Sequence, residues 1–372
     1  MTGRPFNIIG ESELFSSLFL PAKSIVLIGL VFFVTNQVLH GLVVLLHGEA
    51  PYLLCHYDCG WYAGIVELGY MAEPSQHQRG DAANWAFFPL FPLLSSAMSW
   101  LTGLEASSSN VLTSKLLLLP AIWAFLMFQQ QYAPQIPLWI GGILVALNPA
   151  SIYANAGYTE TLYLFLTCMA LIGIRSDRPL LVGIMGALLT ATRSVGIGIG
   201  LAFVIYTIRK MLTDPDTNVG KYVFAGLTIP LGLASYMIFL HEYVGDALAF
   251  SHIQRAWGRQ IGNPVIVLMN AVNGDSYGRI MSFFAVAALG IAVYLAVQKE
   301  LGLALFLAFV TLVPLSTGIT SMGRYVMLQP PLLLALGLLI SRYRWLYPLL
   351  AIFILAYVAM TYAWLEGYFF VI

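Results

Sequence analysis

Apolar runs of about 20 residues recur along the chain from residue 24 onward, and this repetition limits what the chain can fold into. A helix needs about 20 consecutive apolar residues to cross the hydrocarbon core of a bilayer. The 372 residues are 59% hydrophobic and only 9% charged, which lies outside the range of soluble globular domains. The sequence therefore predicts an all-α polytopic membrane protein that forms one integral-membrane domain over residues 1–372.

The apolar runs predict a series of helices joined mostly by short turns. They are expected near residues 24–46, 85–103, 111–130, 136–152, 157–174, 179–191, 194–208, 221–241, 279–297, 301–317, 325–341 and 345–365. Two connections are long and polar, residues 47–84 and residues 242–278. Long connections in compact proteins are often functional, so we expect the functional site in these two.

Lysines and arginines collect at one end of the predicted helices, which gives the chain an orientation. They are Arg4, Lys23, Arg175, Arg178, Arg209, Lys210, Lys221, Lys299, Arg342 and Arg344. Cytoplasmic connections carry such an excess of positive charge, so residues 47–84 are predicted to be extracytoplasmic. The segment before Lys23 lacks the basic-then-apolar order of a cleavable signal, and the first helix is predicted to be a retained anchor.

Arg193 interrupts an apolar segment that would otherwise form one helix over residues 179–208. A charge at the bilayer centre costs about 2.5–3.5 kcal/mol or more, and one helix would place its flanking cations on opposite faces. We therefore predict a break at residues 192–196 that returns Arg193 to the face of Asp58. The number of crossings must also bring Tyr158 and Glu160 to the face of Asp58, so either 85–103 or 136–152 does not cross the bilayer fully. The sequence leaves open which of the two segments this is.

Asp58 lies in the stretch HYDCGWY, where charge is otherwise scarce. Two interpretations fit it. It is the N-cap of a short interfacial helix in GWYAGIVELGY, or it is an acid that takes part in chemistry. Cys55 and Cys59 flank it, and they either pair in an oxidising compartment or remain thiols.

A second carboxylate and several arginines are predicted to gather at the face of Asp58. Tyr158 and Glu160 open an apolar helix, where an acid is costly unless it is paired or faces a wet cavity. Residues 85–92 supply aromatic rings, for which an interfacial aromatic belt is the simpler explanation when they are taken alone. The cations are Arg193, Arg255, Arg259 and Arg324. Guanidinium groups bind phosphate oxygens in pairs, so a lipid phosphate suits such a cavity, with a carboxylate as base for an acceptor hydroxyl.

Seven short motifs follow one another between residues 55 and 330. They are Asp58 with Trp61 and Tyr62, Gly69 with Tyr70, Ala86-Phe87-Phe88-Pro89-Leu90 with Pro92, Asn148-Pro149-Ala150-Ser151 with Tyr158-Thr159-Glu160, Thr192-Arg193-Ser194-Val195-Gly196, Gln254 with Trp257-Gly258-Arg259, and Arg324-Tyr325. Each motif is weak alone, but in this order they resemble the PIG-V family, the mannosyltransferases that add the second mannose to glycosylphosphatidylinositol precursors. The chain is most similar to the prokaryotic relatives of that family. It departs at Tyr57, where the family usually has Trp.

The resemblance implies a GT-C glycosyltransferase with about 10–12 transmembrane helices and interfacial helices in the first extracytoplasmic connection. It implies that Asp58 is catalytic and that mannose moves, with inversion, from a polyprenyl- or dolichyl-phosphate donor to a lipid or glycan acceptor. The location implied is a prokaryotic plasma membrane, with membrane lipids as partners, no nucleic acid, and the active site facing outside. The expected substrate-binding residues are His56, Tyr57, Trp61, Tyr62, Phe87, Phe88, Tyr158, Glu160, Arg193, Gln254, Arg255, Trp257, Arg259, Arg324 and Tyr325.

No cofactor is required by this chemistry, although a divalent cation is left open. Four residues of the second long connection could in principle bind a metal, namely His241, Glu242, Asp246 and His252. Their spacing matches no standard site, and no metal site is predicted.

Two other functions use many of the same features. A transporter or flippase of lipid-linked sugars also needs intramembrane charge and broken helices, but its polar groups would lie near the midplane and not at one face. The chain could also be a non-enzymatic membrane protein that holds a glycosyltransferase in a complex. This function is compatible with every feature of the sequence except the joint presence of Asp58 and the arginines.

Overall fold

The computed structural model describes residues 22–48, 54–75 and 81–368, and this part of the chain is helical with no strand. Its α-helices are α1 Lys23–His47, α2 Asp58–Leu68, α3 Leu90–Thr102, α4 Ala106–Tyr132, α5 Leu138–Ala146, α6 Glu160–Arg175, α7 Pro179–Thr190, α8 Ile199–Thr213, α9 Val219–Thr228, α10 Leu231–Val244, α11 Ala249–His252, α12 Pro264–Val272, α13 Ser276–Val297, α14 Leu301–Leu315, α15 Met322–Met327, α16 Pro330–Arg342 and α17 Pro348–Leu365. Short 3₁₀ helices lie at Asn84–Ala86, Pro149–Asn155, Ser194–Gly198, Ile253–Trp257 and Arg344–Leu346. The predicted all-α class is confirmed.

Within the described residues, 6 helices are long and apolar enough to cross a bilayer. A bent pair, Leu138–Ala146 with Pro149–Asn155, raises the number to 7 if it forms one span. Shorter apolar helices accompany them at Leu90–Thr102, Pro179–Thr190, Leu301–Thr317 and Pro330–Arg342. The chain is a multi-pass membrane protein, as predicted.

Two ends of the helix bundle can be distinguished by charge. We call the end with Asp58, Glu160 and Arg193 the site face. We call the other end the basic face. There Lys210 at the end of α8 contacts Asp177 in the α6–α7 turn at 3.1 Å, and Arg209 contacts the backbone of the α13–α14 turn. Of the cations predicted to share one face, Arg175, Arg209, Lys210 and Lys299 lie around these turns, whereas Arg4 lies outside the described residues.

The predicted break around Arg193 is confirmed. Helix α7 ends at Thr190, Arg193 has an extended backbone, and a 3₁₀ turn leads into α8. The Thr190 hydroxyl donates to the Ile229 carbonyl at 2.9 Å, which ties the end of α7 to the α9–α10 junction. The break brings the guanidinium of Arg193 to the site face.

Helix α3 bears on which of the segments 85–103 and 136–152 crosses the bilayer. Its 13 residues span about 20 Å, which is less than the roughly 30 Å of a bilayer core. Its first amide, on Leu90, donates to Ala191 beside the α7 break, and Ser99 near its other end shares a cleft with Glu67 of α2. These contacts hold α3 against elements of the site face, which favours 85–103 as the segment that does not cross.

Proline explains two differences from the predicted helices. The predicted helix 221–241 is divided into α9 and α10 just before Leu231, where Pro230 cannot continue the backbone hydrogen bonding of α9. The predicted helix 325–341 is divided into α15 and α16, because Pro330 opens the second of these helices and restricts the residue before it. The second long connection also contains helices that the sequence did not predict, α11 and α12.

Candidate active site

Asp58, Glu160, Arg193 and Arg324 form a continuous chain of ion pairs at the site face. Arg324 donates from Nη1 to Asp58 Oδ2 at 2.5 Å and from Nε to Glu160 Oε1. Arg193 donates from Nη2 to the same oxygen of Glu160 at 2.5 Å. The side chains are 26% exposed for Asp58, 16% for Arg193, 5% for Arg324 and 2% for Glu160. The two acids balance the two arginines, and Asp58 is the member most open to solvent.

Asp58 is not the N-cap of its helix. The N-cap of α2 is Tyr57, Asp58 is the first helical residue, and neither side chain makes a capping hydrogen bond. The carboxylate contacts Arg324 through Oδ2, and Oδ1 has no hydrogen-bond partner among the described residues. Of the two interpretations of Asp58, the capping one is wrong. One carboxylate oxygen is held and the other is open.

Tyr158 fixes the backbone on both sides of Asp58. Its hydroxyl accepts from the Asp58 amide and donates to the His56 carbonyl, each at 3.2 Å. Its ring lies under the guanidinium of Arg324, 4.3 Å from centroid to Cζ. Tyr158 therefore positions both members of the Asp58–Arg324 pair, and it does so from a fully buried location.

Cys55 and Cys59 are joined in a disulfide that encloses Asp58 in a loop with a sequence separation of 4. Within this loop Tyr57 has a φ of 53°, a conformation that is uncommon for a residue with a bulky side chain. Asn110 donates to the Cys59 carbonyl at 3.3 Å, and Gly157, with a φ of +74°, packs so closely on the Cys59 sulfur that a Cβ there would clash. The loop of Asp58 is thus held both covalently and by packing.

Replacing Cys55 with Ser is expected to lower the free energy of unfolding by about 2 kcal/mol. A disulfide stabilises mainly by restricting the unfolded chain, and a loop this short gives about that value. The measurement is denaturant unfolding of the purified protein in detergent without reductant. Reductant should lower the stability of the unsubstituted protein by the same amount and leave the Cys55→Ser variant unchanged. Equal stability of the unsubstituted protein with and without reductant would contradict the expectation.

The open side of Asp58 faces a cavity of about 320 Å³. Ten of the predicted site residues line it, namely Asp58, Tyr62, Phe87, Phe88, Arg193, Gln254, Trp257, Arg259, Arg324 and Tyr325. They come from α2, the entry to α3, the α7 break, the second long connection and α15, so the structure brings both long connections together as expected. The volume is within the range of small-molecule sites in proteins.

Six predicted residues do not line the cavity. Trp61 supports its wall, stacked on Phe87 at 5.9 Å and set edge-on to Trp257 at 5.5 Å. His56 and Tyr57 pack on Trp364 instead. The remaining three are Tyr158 and Glu160, which lie behind the wall, and Arg255, which is exposed elsewhere.

The wall also includes residues that the sequence analysis did not single out. Tyr163, Phe250, Thr317 and Gln329 belong to this group. Tyr163 lies one helical turn after Glu160, and its ring faces the Arg193 guanidinium at 5.6 Å. That spacing was visible in the sequence, because residues three apart on a helix share a face. No spacing or motif in the sequence indicated Gln329 as a site residue.

Arg259 is the cation of the wall that stays outside the ion-pair chain. It forms no ion pair with a described residue, in contrast to Arg193 and Arg324. Its guanidinium lies over the Tyr325 ring at 5.3 Å, and Nη2 donates to the Thr320 carbonyl at 3.4 Å. Arg259 therefore gives the cavity a positive charge that no acid of the site neutralises.

The described residues contain no group of three or more His, Cys, Asp or Glu side chains placed to bind a metal ion. In the second long connection His252 contacts Asp246 at 2.7 Å, and this hydrogen bond lowers the pKa of the Asp246 carboxyl. The cavity offers arginine and aromatic side chains for an anionic, partly apolar ligand.

Comparison with known proteins supports the resemblance seen in the motifs. The chain is 28% identical over 207 residues to GPI alpha-1,6-mannosyltransferase 2 of Rattus norvegicus, which is 51% of this chain and 40% of that protein. It is 29% identical to the Mus musculus protein of the same name, over 41% of this chain and 31% of that protein. No family model matches the chain. The chain thus spans less than half the length of these curated relatives.

Among solved structures, the archaeal oligosaccharyltransferase AglB of Archaeoglobus fulgidus, in complex with an inhibitory peptide and a dolichol-phosphate, has a TM-score of 0.46 and 11% identity. The match covers 91% of this chain and 55% of that one. A second structure of an Archaeoglobus fulgidus oligosaccharyltransferase, with Zn and sulfate, has a TM-score of 0.44 and 12% identity over 90% of this chain and 52% of that one. The resemblance to the PIG-V family predicted from the motifs is confirmed by the sequence similarity to GPI alpha-1,6-mannosyltransferase 2.

Proposed function

We propose that this chain is a GT-C membrane glycosyltransferase that transfers mannose, with inversion, from a polyprenyl- or dolichyl-phosphate donor to a lipid or glycan hydroxyl. The observation that carries the proposal is the carboxylate of Asp58, which lies on the cavity wall with one oxygen held by Arg324 and the other open. The relatives named above are mannosyltransferases, which supports the choice of sugar.

The geometry of Asp58 suits a general base. The acceptor hydroxyl donates its hydrogen bond to Oδ1, and its oxygen attacks C1 of the sugar as the proton passes to the carboxylate. The new C1–O bond forms as the bond from C1 to the phosphate oxygen breaks, and the lipid phosphate leaves with the electron pair. Because attack and departure occur on opposite sides of C1, the configuration at that carbon is inverted. Arg324 keeps the carboxylate in place throughout this step.

Arg259 is the residue that we assign to the donor phosphate. The ion-pair chain leaves Arg193 and Arg324 neutralised, so the uncompensated cation of the cavity is the one available to an anionic leaving group. A guanidinium binds two phosphate oxygens at once and stabilises the charge that develops on departure. Phe87 and Trp257, supported by Trp61 packed against both rings, give the same cavity an apolar wall.

The orientation of the chain in the membrane and its cellular location are part of the same proposal. The cations of the basic face support a cytoplasmic location for that face, and the site face is then extracytoplasmic. The disulfide of Cys55 and Cys59 supports this orientation, since disulfides persist in oxidising compartments. We propose the plasma membrane of a prokaryote, with the active site facing outside.

Transfer from radiolabelled polyprenyl-phosphate mannose is the direct test. The purified protein is placed in lipid nanodiscs with a membrane lipid extract as acceptor, and the products are separated by chromatography. A new labelled glycolipid or glycan is the expected result. Absence of product, with labelled donor crossing the bilayer of proteoliposomes, would replace the proposal by the flippase alternative.

Replacing Arg259 with Gln is expected to raise the KM for the lipid-phosphate donor by about 10- to 100-fold. A hydrogen bond to a charged group contributes about 1.5–3 kcal/mol, and 1.4 kcal/mol corresponds to a tenfold change. Initial rates over a range of donor concentrations give the KM. The matched control is Arg255→Gln, since this arginine lies four residues away, is exposed and does not line the cavity. Similar KM values for both variants would remove Arg259 from the donor site.

A further inference from the structure

A second cavity, of about 680 Å³, opens at the basic face, on the side of the bundle opposite the candidate active site. It lies between the ends of α4, α6 and α8 and the α13–α14 turn. Its volume lies within the range of ligand sites in proteins. The proposed glycosyl transfer gives this cavity no role.

The charged residues of this cavity are three cations and one acid. Arg175, Arg209 and Lys299 face Glu300, so the formal charge is positive. Arg209 and Lys299 are exposed, and neither forms an ion pair with a described residue. The neighbouring Lys210, by contrast, contacts Asp177 at 3.1 Å and Asp214 at 3.0 Å. The cavity therefore holds more positive charge than its one acid can neutralise.

The guanidinium of Arg209 is held at the turn that carries Lys299. Arg209 donates from Nη1 and Nη2 to the Lys299 carbonyl, each at 3.4 Å. Lys299 has a φ of 68°, which turns the chain sharply between α13 and α14. Arg175 lies over the ring of Tyr132 at 5.1 Å. Arg175, Arg209 and Lys299 thus line one cavity at the basic face.

The rest of the cavity is apolar. Its inner wall is built from the side chains of Leu171, Ile174, Ala202, Ile205 and Leu303. At the rim, Leu212 is 80% exposed and Val297 is 71% exposed. A soluble anion would use the cations and leave this surface uncovered, whereas a lipid would cover both. With Glu300 included, the formal charge of the cavity remains positive, which suits an anionic headgroup.

We propose that this cavity binds the phosphodiester headgroup of an anionic membrane phospholipid, with Arg209 and Lys299 at the phosphate and the apolar wall against the first methylenes of its chains. Basic pockets between transmembrane helices at a cytoplasmic surface suit such headgroups. The bound lipid bridges α8 and the α13–α14 turn, which are also joined by the hydrogen bonds from Arg209 to the Lys299 carbonyl. This proposal is independent of the reaction at the site face.

Native mass spectrometry of the full chain, with phosphatidylglycerol or phosphatidylcholine added to the detergent, tests the proposal. The unsubstituted protein should retain phosphatidylglycerol in preference to phosphatidylcholine. The double variant Arg209→Gln/Lys299→Gln should retain at most about one tenth as much phosphatidylglycerol, since each cation near the headgroup contributes to the attraction. The double variant Lys221→Gln/Arg344→Gln is the matched control, because it removes the same charge from the basic face outside the cavity.

Two further arms keep the result interpretable. The exchange variant Arg209→Lys/Lys299→Arg preserves both charges and should retain the lipid, which separates a charge effect from a folding defect. Glycerophosphoglycerol, the soluble headgroup, should not displace the lipid. Equal retention of both lipids, equal loss in the cavity and control variants, or displacement by the soluble headgroup would each overturn the proposal.

Discussion

Replacing Asp58 with Asn is expected to reduce mannosyl transfer by about 10²- to 10⁴-fold while the protein stays folded. A positioned general base contributes this much to a rate, and an amide cannot accept the proton of the acceptor hydroxyl. The substitution preserves the shape of the side chain and an oxygen for Arg324. Asp58 is also the most exposed member of the ion-pair chain, and the buried Arg324 keeps Glu160 as a partner, so we expect its loss of charge to cost less stability than the loss of Glu160.

Turnover of radiolabelled donor and the thermal unfolding temperature, measured on the same preparation, separate these effects. Donor binding should remain, because Arg259 and the aromatic wall are unchanged. The matched control is Asp81→Asn, which changes an exposed acid of the same connection that does not line the cavity. A variant Asp58→Asn with normal turnover would end the catalytic assignment. Loss of turnover in both variants would assign the effect to the connection as a whole.

The sequence predicted the features of the fold that depend on local pattern and on the cost of charge in a membrane. Arg193 is an example, because one cation within an apolar segment was sufficient to predict both the break and the face to which it returns. The short helix after Asp58 was predicted from the helical spacing of its apolar residues, and the structure contains it. The division at Pro230 was missed because hydropathy is continuous across it, although the proline itself was visible.

The sequence predicted which residues belong to the site, but it did not predict which of their side chains contact one another. The motifs located most of the cavity wall, whereas the pairing of Arg324 with Glu160 and Asp58 joins residues separated by 164 and 266 positions in the chain. No local pattern reports such a pair. The sequence could therefore not distinguish Arg259, which remains available to a ligand, from Arg193 and Arg324, which hold acids. It also could not show that Glu160 lies behind the wall.

Replacing Glu160 with Gln is expected to lower the free energy of unfolding by about 3–5 kcal/mol, which is the cost of removing one partner from a buried ion pair. Glu160 accepts from both Arg193 and Arg324 and is almost fully buried, so its loss leaves two guanidinium groups without their common partner. Arg324 then no longer has a fixed position against Asp58. We therefore expect kcat to fall as well, with a smaller change in the KM for the donor, because Arg259 is not part of the chain of ion pairs.

The double variant Glu160→Gln/Arg193→Gln tests whether Glu160 acts through the arginines. Removing one cation together with the acid should restore part of the unfolding free energy, since fewer buried charges are left uncompensated. Transfer should stay low in the double variant, because Arg324 is still without Glu160. Glu67→Gln is the control, an exposed acid at the end of α2. A Glu160→Gln protein that unfolds like the unsubstituted one would show that the buried chain does not hold Arg324, and Asp58 would then owe its position to the disulfide loop and Tyr158 alone.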